Sequence, residues 1–308
     1  MEHSRIINEL YEELILNING KVLSDEPLKN HTYFKIGGGA DILVEPDNVE
    51  ELKKIFDLIR KYKVNYYIIG NGTNLLFSDE GFKGIIIKIG DKFNYIKKQD
   101  NLITVGAGTL LSVLSKYLTN ESLAGFEFAS GIPGYIGGAV CMNAGAYGGE
   151  MKDVVKKVHC IDSNGNMYNF TNEEMNFSYR HSRVSDTNLF VIEVEIELEY
   201  GDKKIIEDKI RDLNEKRISK QPLNLPSAGS TFKRPKDGYA SKLIEDAGLK
   251  GLIYRGAMVS DKHSGFLVNF DDACCEDVLE LMRIVISAVY DKFGVMLEPE
   301  IKIIGTKL

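Results

Sequence analysis

The chain of 308 residues contains neither G-x-G-x-x-G nor G-x-x-x-x-G-K-[ST], so it carries no standard Rossmann fingerprint and no P-loop. Basic residues are in deficit. Lys and Arg number 38 against 45 Asp and Glu, and the net charge of −7 argues against non-specific nucleic-acid binding, which needs a basic face. Long apolar runs are missing too. Gly84-Ile-Ile-Ile-Lys88 is strand-length, and nothing in the sequence could span a bilayer. Met1 to Leu16 carries scattered charges and no apolar stretch, so no secretory signal is expected. The four cysteines show no C-x-x-C spacing, and vicinal Cys274-Cys275 are poorly placed to bridge, which implies free thiols in a reducing cytoplasm. The five histidines are scattered without H-E-x-x-H spacing, so no protein-bound metal is expected. Repeats and low-complexity tracts are absent.

What the chain does have is glycine in the right places. Gly125 to Gly149 reads GFEFASGIPGYIGGAVCMNAGAYGG, with Gly131, Gly134, Gly137 and Gly138 closely spaced and Pro133 stiffening the first turn. Glycine lets backbone amides approach a ligand and adopt positive φ, and successive amides form concave nests for phosphate oxygens. A second cluster, Gly70-Asn-Gly-Thr-Asn74, follows directly on the β-favouring run Asn65 to Ile69. A strand feeding a Gly/Asn/Thr loop is how α/β proteins present amides to phosphates. Two interpretations stand at this point: a wall for a pyrophosphate-bearing cofactor, and a glycine-rich crossover packed closely on a sheet.

Periodicity gives alternating elements. Ile6, Ile7, Leu10, Leu14 and Ile15 recur at helical spacing, 40–44 reads as a strand and 49–62 as an amphipathic helix. Strands follow at 66–69, 85–87 and 102–105, then a helix over 109–118. Beyond the glycines, 154–162 and 167–170 flank the hairpin signal Ser163-Asn-Gly-Asn166, and 192–200 alternates as a half-buried strand. Residues 201–219 form a charged helix resembling a connector, followed by a helix at 240–247, a strand at 266–269, a helix near 276–293 and a final strand. Domain boundaries are expected near residues 80 and 203, giving domains 1–80, 81–202 and 203–308.

Chemistry-bearing residues occur in all three regions. Phe177-Ser-Tyr-Arg-His-Ser-Arg183 offers arginine for bidentate pairing with a carboxylate, or a surface loop. Pro226 to Pro235 places Ser230 on a glycine-hinged turn beside Lys233 and Arg234, unless that turn is ordinary. Leu297-Glu-Pro-Glu-Ile301 sets Glu298 and Glu300 on one strand face, suited to acid/base work or to a solvated edge.

Several separated motifs, in order, resemble the UDP-N-acetylenolpyruvoylglucosamine reductase (MurB) family of flavoenzymes. They are His31-Thr-Tyr-Phe-Lys-Ile-Gly-Gly38, Gly70–Asn74, Gly131-Ile-Pro-Gly-Tyr-Ile-Gly-Gly138, Asn143-Ala-Gly-Ala-Tyr147, Tyr179-Arg180, Ala228-Gly-Ser-Thr-Phe-Lys233, Lys262-His-Ser-Gly-Phe266 and Glu298-Pro-Glu300. The contiguous stretch from Gly201 to Pro222 is similar to the shorter form of the family, which lacks an extra substrate-capping loop and its tyrosine. The resemblance implies an α+β fold: an FAD-binding fold of the vanillyl-alcohol-oxidase type in two subdomains, 1–80 and 81–202, then an α+β substrate domain, 203–308.

It further implies non-covalent FAD and NADPH as co-substrate, reducing UDP-N-acetylglucosamine enolpyruvate to UDP-N-acetylmuramate for peptidoglycan. Asn71, Gly72, Thr73 and Asn74 would hold the cofactor together with Gly131, Ile132, Pro133, Gly134, Gly137 and Gly138, with Asn143, Ala146 and Tyr147 nearby. Arg180 would stabilise the enediolate formed after hydride transfer, Ser230 would protonate it, and Glu300 would donate a hydrogen bond if its pocket keeps it protonated. Lys220, Lys233 and Arg234 would contact the uridine diphosphate or the substrate carboxylate. The alternative is another flavin oxidase of the same fold acting on a sugar or lactone; many of those tether flavin through a histidine that Gly70–Asn74 lacks. No nucleic-acid, membrane or obligate protein partner is expected.

Overall fold

The computed structural model describes residues 2–236 and 238–308. They fold as two compact units. The first runs to Ser24 and adds residues 42–71 and 84–217; the second comprises 25–41, 72–83 and 218–308. These divisions do not coincide with boundaries near 80 and 203, because two short segments pack with the C-terminal third. Apolar patterning reports which face of an element is buried, not which distant segment covers it, so such interleaving leaves no mark in composition.

In the first unit, α1 (Glu2–Asn17) is followed by α2 (Val49–Tyr62), which has the bounds its periodicity predicts. Asn48 starts α2 by accepting the Glu51 amide on its side chain at 3.0 Å, one of the orphan donors of a helix N-terminus. Leu52, Ile55, Phe56 and Ile59 then face the core. A four-stranded sheet has the order Lys21–Pro27, Gly39–Glu45, Phe82–Lys88, Tyr66–Ile69. Its last two strands are parallel, Tyr66 opposite Ile85.

A second sheet is antiparallel, ordered Met167–Thr171, Val155–Asp162, Leu189–Glu197, Leu102–Gly106, Ile96–Gln99. The expected hairpin turn is present, with Gly165 at φ 83° and the Asp162 carboxylate accepting the Asn164 and Asn166 amides at 2.8 and 2.9 Å. Phe56 is fully buried, stacked on Phe190 at 5.6 Å and edge-on to Tyr66 at 5.8 Å. Truncating such a side chain to alanine costs about 3–5 kcal/mol. α3 (Leu111–Asn120) buries Leu111, Leu114 and Leu118 in the same core, and the short α4 (Ile136–Cys141) buries Ile136, Ala139 and Val140 there. The charged helix α5 (Lys203–Lys220) buries only Ile206 fully, and Lys209 ties it to the buried Glu127 at 3.0 Å.

The second unit has its own core. α6 (Ala240–Asp246) and α7 (Cys275–Phe293) pack with a three-stranded antiparallel sheet, Ile253–Tyr254, Ala257–Val259 and Leu267–Asn269. α7 is strongly terminated. The Asp79 carboxylate accepts the Cys275 and Glu276 amides at 2.7 and 3.1 Å, and Gly294 closes the other end at φ 67°. Leu75–Phe77 runs parallel to the final strand, Lys302–Ile304. Among the described residues no helix is long and apolar enough to cross a membrane, and no cluster of His, Cys, Asp and Glu could hold a metal.

Candidate active site

The first unit joins the start of one glycine loop to the other. Tyr66–Ile69 leads into Gly70, and the Asn71 side chain donates to the Pro133 carbonyl at 2.7 Å. The long glycine stretch divides between both interpretations of it. Ile136 and Gly137 turn their amides inward, to Thr109 and Ala107 carbonyls at 2.9 and 3.0 Å. A Cβ on Gly137 would stand 2.9 Å from that of Ala107, so close packing, not ligand approach, demands glycine there. Ile132 is partly buried against the core and Pro133 is exposed. Among the described residues, the Gly134 and Gly138 amides donate to no backbone carbonyl, and the space a Gly138 Cβ would face is open. Ser130 Oγ is buried with no partner. Unspent amides, open space and an orphaned hydroxyl on one glycine loop fit an anionic, phosphate-bearing cofactor.

Sequence reasoning missed two residues here, Ser130 and Arg217. A Cβ on Gly131 would lie 2.9 Å from both the Arg217 guanidinium and Asn214 Oδ1, so α5 packs directly on the loop. Burial pushes the Arg217 pKa down, while the nearby Tyr147 opposes this, and the guanidinium stays charged regardless. Arg217 is one of two arginines in a lysine-rich helix, and nothing in the sequence sets it apart from Arg211. Tyr147 (φ 53°) and Gly148 (φ 90°) form the left-handed turn of a small hairpin in which Ala146 pairs with Gly149.

Arg180 also sits in strained backbone, at φ 54°. A left-handed non-glycine residue costs about 1–3 kcal/mol and persists only where its surroundings over-determine it. Those surroundings are explicit. Ser178 and His181 exchange backbone hydrogen bonds at 3.1 and 3.2 Å around the Tyr179-Arg180 turn. Asn143, 1% exposed, donates to the Ser178 carbonyl at 3.0 Å and to Glu150 at 2.6 Å, and accepts the Lys152 amide at 3.0 Å. Its carboxamide donors are therefore committed to protein, which differs from the cofactor contact expected of it. Ser182 Oγ donates to the Cys141 carbonyl at 2.7 Å. The His181 ring pairs with Asp186 through Nε2, and its buried Nδ1 has no partner.

In the second unit, Gly72 (φ 66°) approaches Thr32 so closely that a Cβ would lie 2.9 Å from its Cα, and its carbonyl accepts the Tyr33 amide at 3.0 Å. Thr73 lies in the turn, and Asn74 donates its side chain to the Glu300 carbonyl at 3.3 Å while accepting the Lys302 amide at 2.9 Å. Ser230 and Glu300, distant in sequence, are brought onto adjoining segments. Phe232 bridges Pro299, the Glu300 amide donates to Thr231 at 2.8 Å, and the Lys233 amide donates to Glu298 at 2.8 Å. Thr231 is buried and pinned twice, its amide to the Gly265 carbonyl at 2.8 Å and its hydroxyl accepting the Leu267 amide at 3.0 Å.

The cations expected on the diphosphate are differently placed. Lys220 ends α5, exposed. Lys233 is 3.2 Å from Glu298, so the two glutamates of Glu298-Pro-Glu300 separate: Glu298 serves a surface ion pair while Glu300 is half-buried. Arg234 stacks over the Tyr239 ring at 4.3 Å. All four cysteines are free. Burial pushes Cys160 and Cys275 up to about 12 and raises Cys274, so none of these is a thiolate at neutral pH.

Residues 40–171 match the FAD-binding domain, and the chain is an α+β flavoprotein by fold and by loop chemistry. Residues 221–304 match the UDP-N-acetylenolpyruvoylglucosamine reductase C-terminal domain. The chain is 51% identical over 293 residues to the reductase of that name from Clostridioides difficile (strain 630), covering 94% of this chain and 96% of that one. It is 48% identical over 305 residues to the one from Clostridium perfringens (strain SM101), covering 99% and 98%. It resembles the crystal structure of UDP-N-acetylenolpyruvylglucosamine reductase (MurB) from Thermus caldophilus with a TM-score of 0.79 at 34% identity, covering 93% of this chain and 99% of that one. The chain belongs to the UDP-N-acetylenolpyruvoylglucosamine reductase family.

Proposed function

We propose that this protein reduces UDP-N-acetylglucosamine enolpyruvate to UDP-N-acetylmuramate with NADPH and FAD, a step in peptidoglycan precursor synthesis. The observation that carries the reaction is family membership along nearly the whole chain. FAD, when bound, would supply hydride-transfer chemistry linking NADPH to the enolpyruvyl group. Gly134 and Gly138 amides, the Ser130 hydroxyl and the Arg217 guanidinium are assigned to the anionic part of that cofactor. Arg180 pairs with the substrate carboxylate and stabilises the charge that develops there. Ser230 holds the proton delivered to the α-carbon, and Glu300 hydrogen-bonds the same carboxylate. Lys220 and Arg234 are assigned to the diphosphate.

Free thiols and a nucleotide-linked sugar substrate fit the cytoplasm. A lactone or sugar oxidase is not favoured, since the family match extends through the C-terminal domain.

The test is anaerobic spectroscopy on the purified protein. NADPH should bleach the flavin, and the enolpyruvyl nucleotide should restore its colour with stoichiometric formation of the lactyl ether. Acid precipitation should leave the flavin in the supernatant, because no residue of Gly70–Asn74 can tether it covalently. Flavin in the pellet, or colour restored by oxygen but not by substrate, would refute this function.

A further inference from the structure

Arg180, at φ 54°, has the most constrained backbone of any residue assigned here to catalysis, and two neighbouring side chains, Asn143 and Ser182, hold the turn that carries it. A turn with a left-handed arginine at its third position is unfavourable alone, because the Cβ crowds the carbonyl. Relaxing to negative φ would swing the guanidinium away from its present direction. Ser178, whose carbonyl closes the turn by accepting the His181 amide, also accepts an Asn143 N–H at 3.0 Å. Asn143 is itself immobilised, giving its other N–H to Glu150 at 2.6 Å and accepting the Lys152 amide at 3.0 Å. At 1% exposure, in a low-dielectric surrounding, these three bonds admit one orientation of the carboxamide. Ser182 fastens the far side of the turn to the Cys141 carbonyl at 2.7 Å, and Cys141 lies two residues before Asn143. The turn is thus gripped on both sides by the segment 141–152.

We propose that Asn143, with Ser182, is a positioning residue that holds the Arg180 turn in its left-handed form, and so aims the guanidinium at the substrate carboxylate. This rests on the assignment of Arg180 to that carboxylate. Asn143 acts through Arg180 and not by contact with the cofactor, because its side-chain donors are spent.

The test uses the FAD-loaded protein and two nucleotide ligands, UDP-N-acetylmuramate, which carries the carboxylate, and UDP-N-acetylglucosamine, which does not. Asn143→Gly is the informative variant, since glycine accepts the φ of 40° at that position while deleting the carboxamide. Calorimetric titration should show binding of the carboxylate ligand weakened about 10-fold and the other unchanged, the loss of one charge-assisted contact. In an Arg180→Ala background, Asn143→Gly should add nothing, whereas independent roles would add. Ser182→Ala, which removes one hydroxyl, should show the same selectivity, and it decides the question if Asn143→Gly fails to fold. Equal weakening of both ligands, or additivity with Arg180→Ala, overturns the positioning role. Arg180→Ala with unimpaired discrimination between the ligands overturns instead the assignment of Arg180 to the carboxylate.

Discussion

The Glu300 amide donates to the Thr231 carbonyl at 2.8 Å, so two stretches of chain nearly seventy residues apart run as neighbours and carry Ser230 and Glu300 with them. Backbone pairing of this kind fixes spacing more firmly than side-chain contacts, because both partners are anchored by chain on either side.

Ser230→Ala should separate the two halves of the reaction. Flavin bleaching by NADPH should stay nearly unchanged, while reoxidation by the enolpyruvyl substrate slows about 10²–10⁴-fold, the range for a lost general acid. Stopped-flow traces of each half decide it. Equal slowing of both would point to a turn-capping hydroxyl.

Thr231→Val keeps shape but leaves the Leu267 amide buried without an acceptor. Stability should fall by about 1–3 kcal/mol in urea titration, and kcat should drop while FAD stays bound. Unchanged stability would mean that the segment is held by its backbone bonds alone.

Lys220→Met should raise KM for the nucleotide substrate about 10-fold, the loss of a charge-assisted hydrogen bond. Lys233→Met should change it by less than about 3-fold, because an exposed ammonium paired with Glu298 has little charge to spare. The reverse order would place the diphosphate on Lys233.

Glu51 anchors the start of the first unit by accepting the Asn19, Gly20 and Asp47 amides at 3.0, 3.2 and 2.9 Å and the Asn19 side chain at 3.1 Å. Burial alone would raise its pKa, but these donors together hold it below 4.5. Its stabilisation is therefore full above about pH 4.5 and fades as pH falls through the lower folded value. Glu51→Gln should cost about 1–3 kcal/mol at pH 7, with the gap to the parent closing in acid. A gap independent of pH would show that charge plays no part.

Helices with one apolar face, such as α2, and the Asn-Gly hairpin at 163–166 were legible in the sequence because their causes are local: a 3.6-residue period, a cap, a residue tolerant of positive φ. The motifs Gly70–Asn74, Gly131–Gly138, Arg180, Ser230 and Glu300 were legible as residue types in a family order. Their division of labour was not. Gly137 is glycine because Ala107 lies against it, Asn143 spends its side chain on Ser178 and Glu150, and Lys233 is held by Glu298. Each of these depends on a partner far along the chain. Nor could the sequence reveal Arg217 against Gly131, or segments 25–41 and 72–83 packing with residues beyond 218. Hydrogen bonding and close packing are satisfied by whichever groups the fold brings within a few ångströms, and that proximity is a property of the folded chain rather than of any window of it.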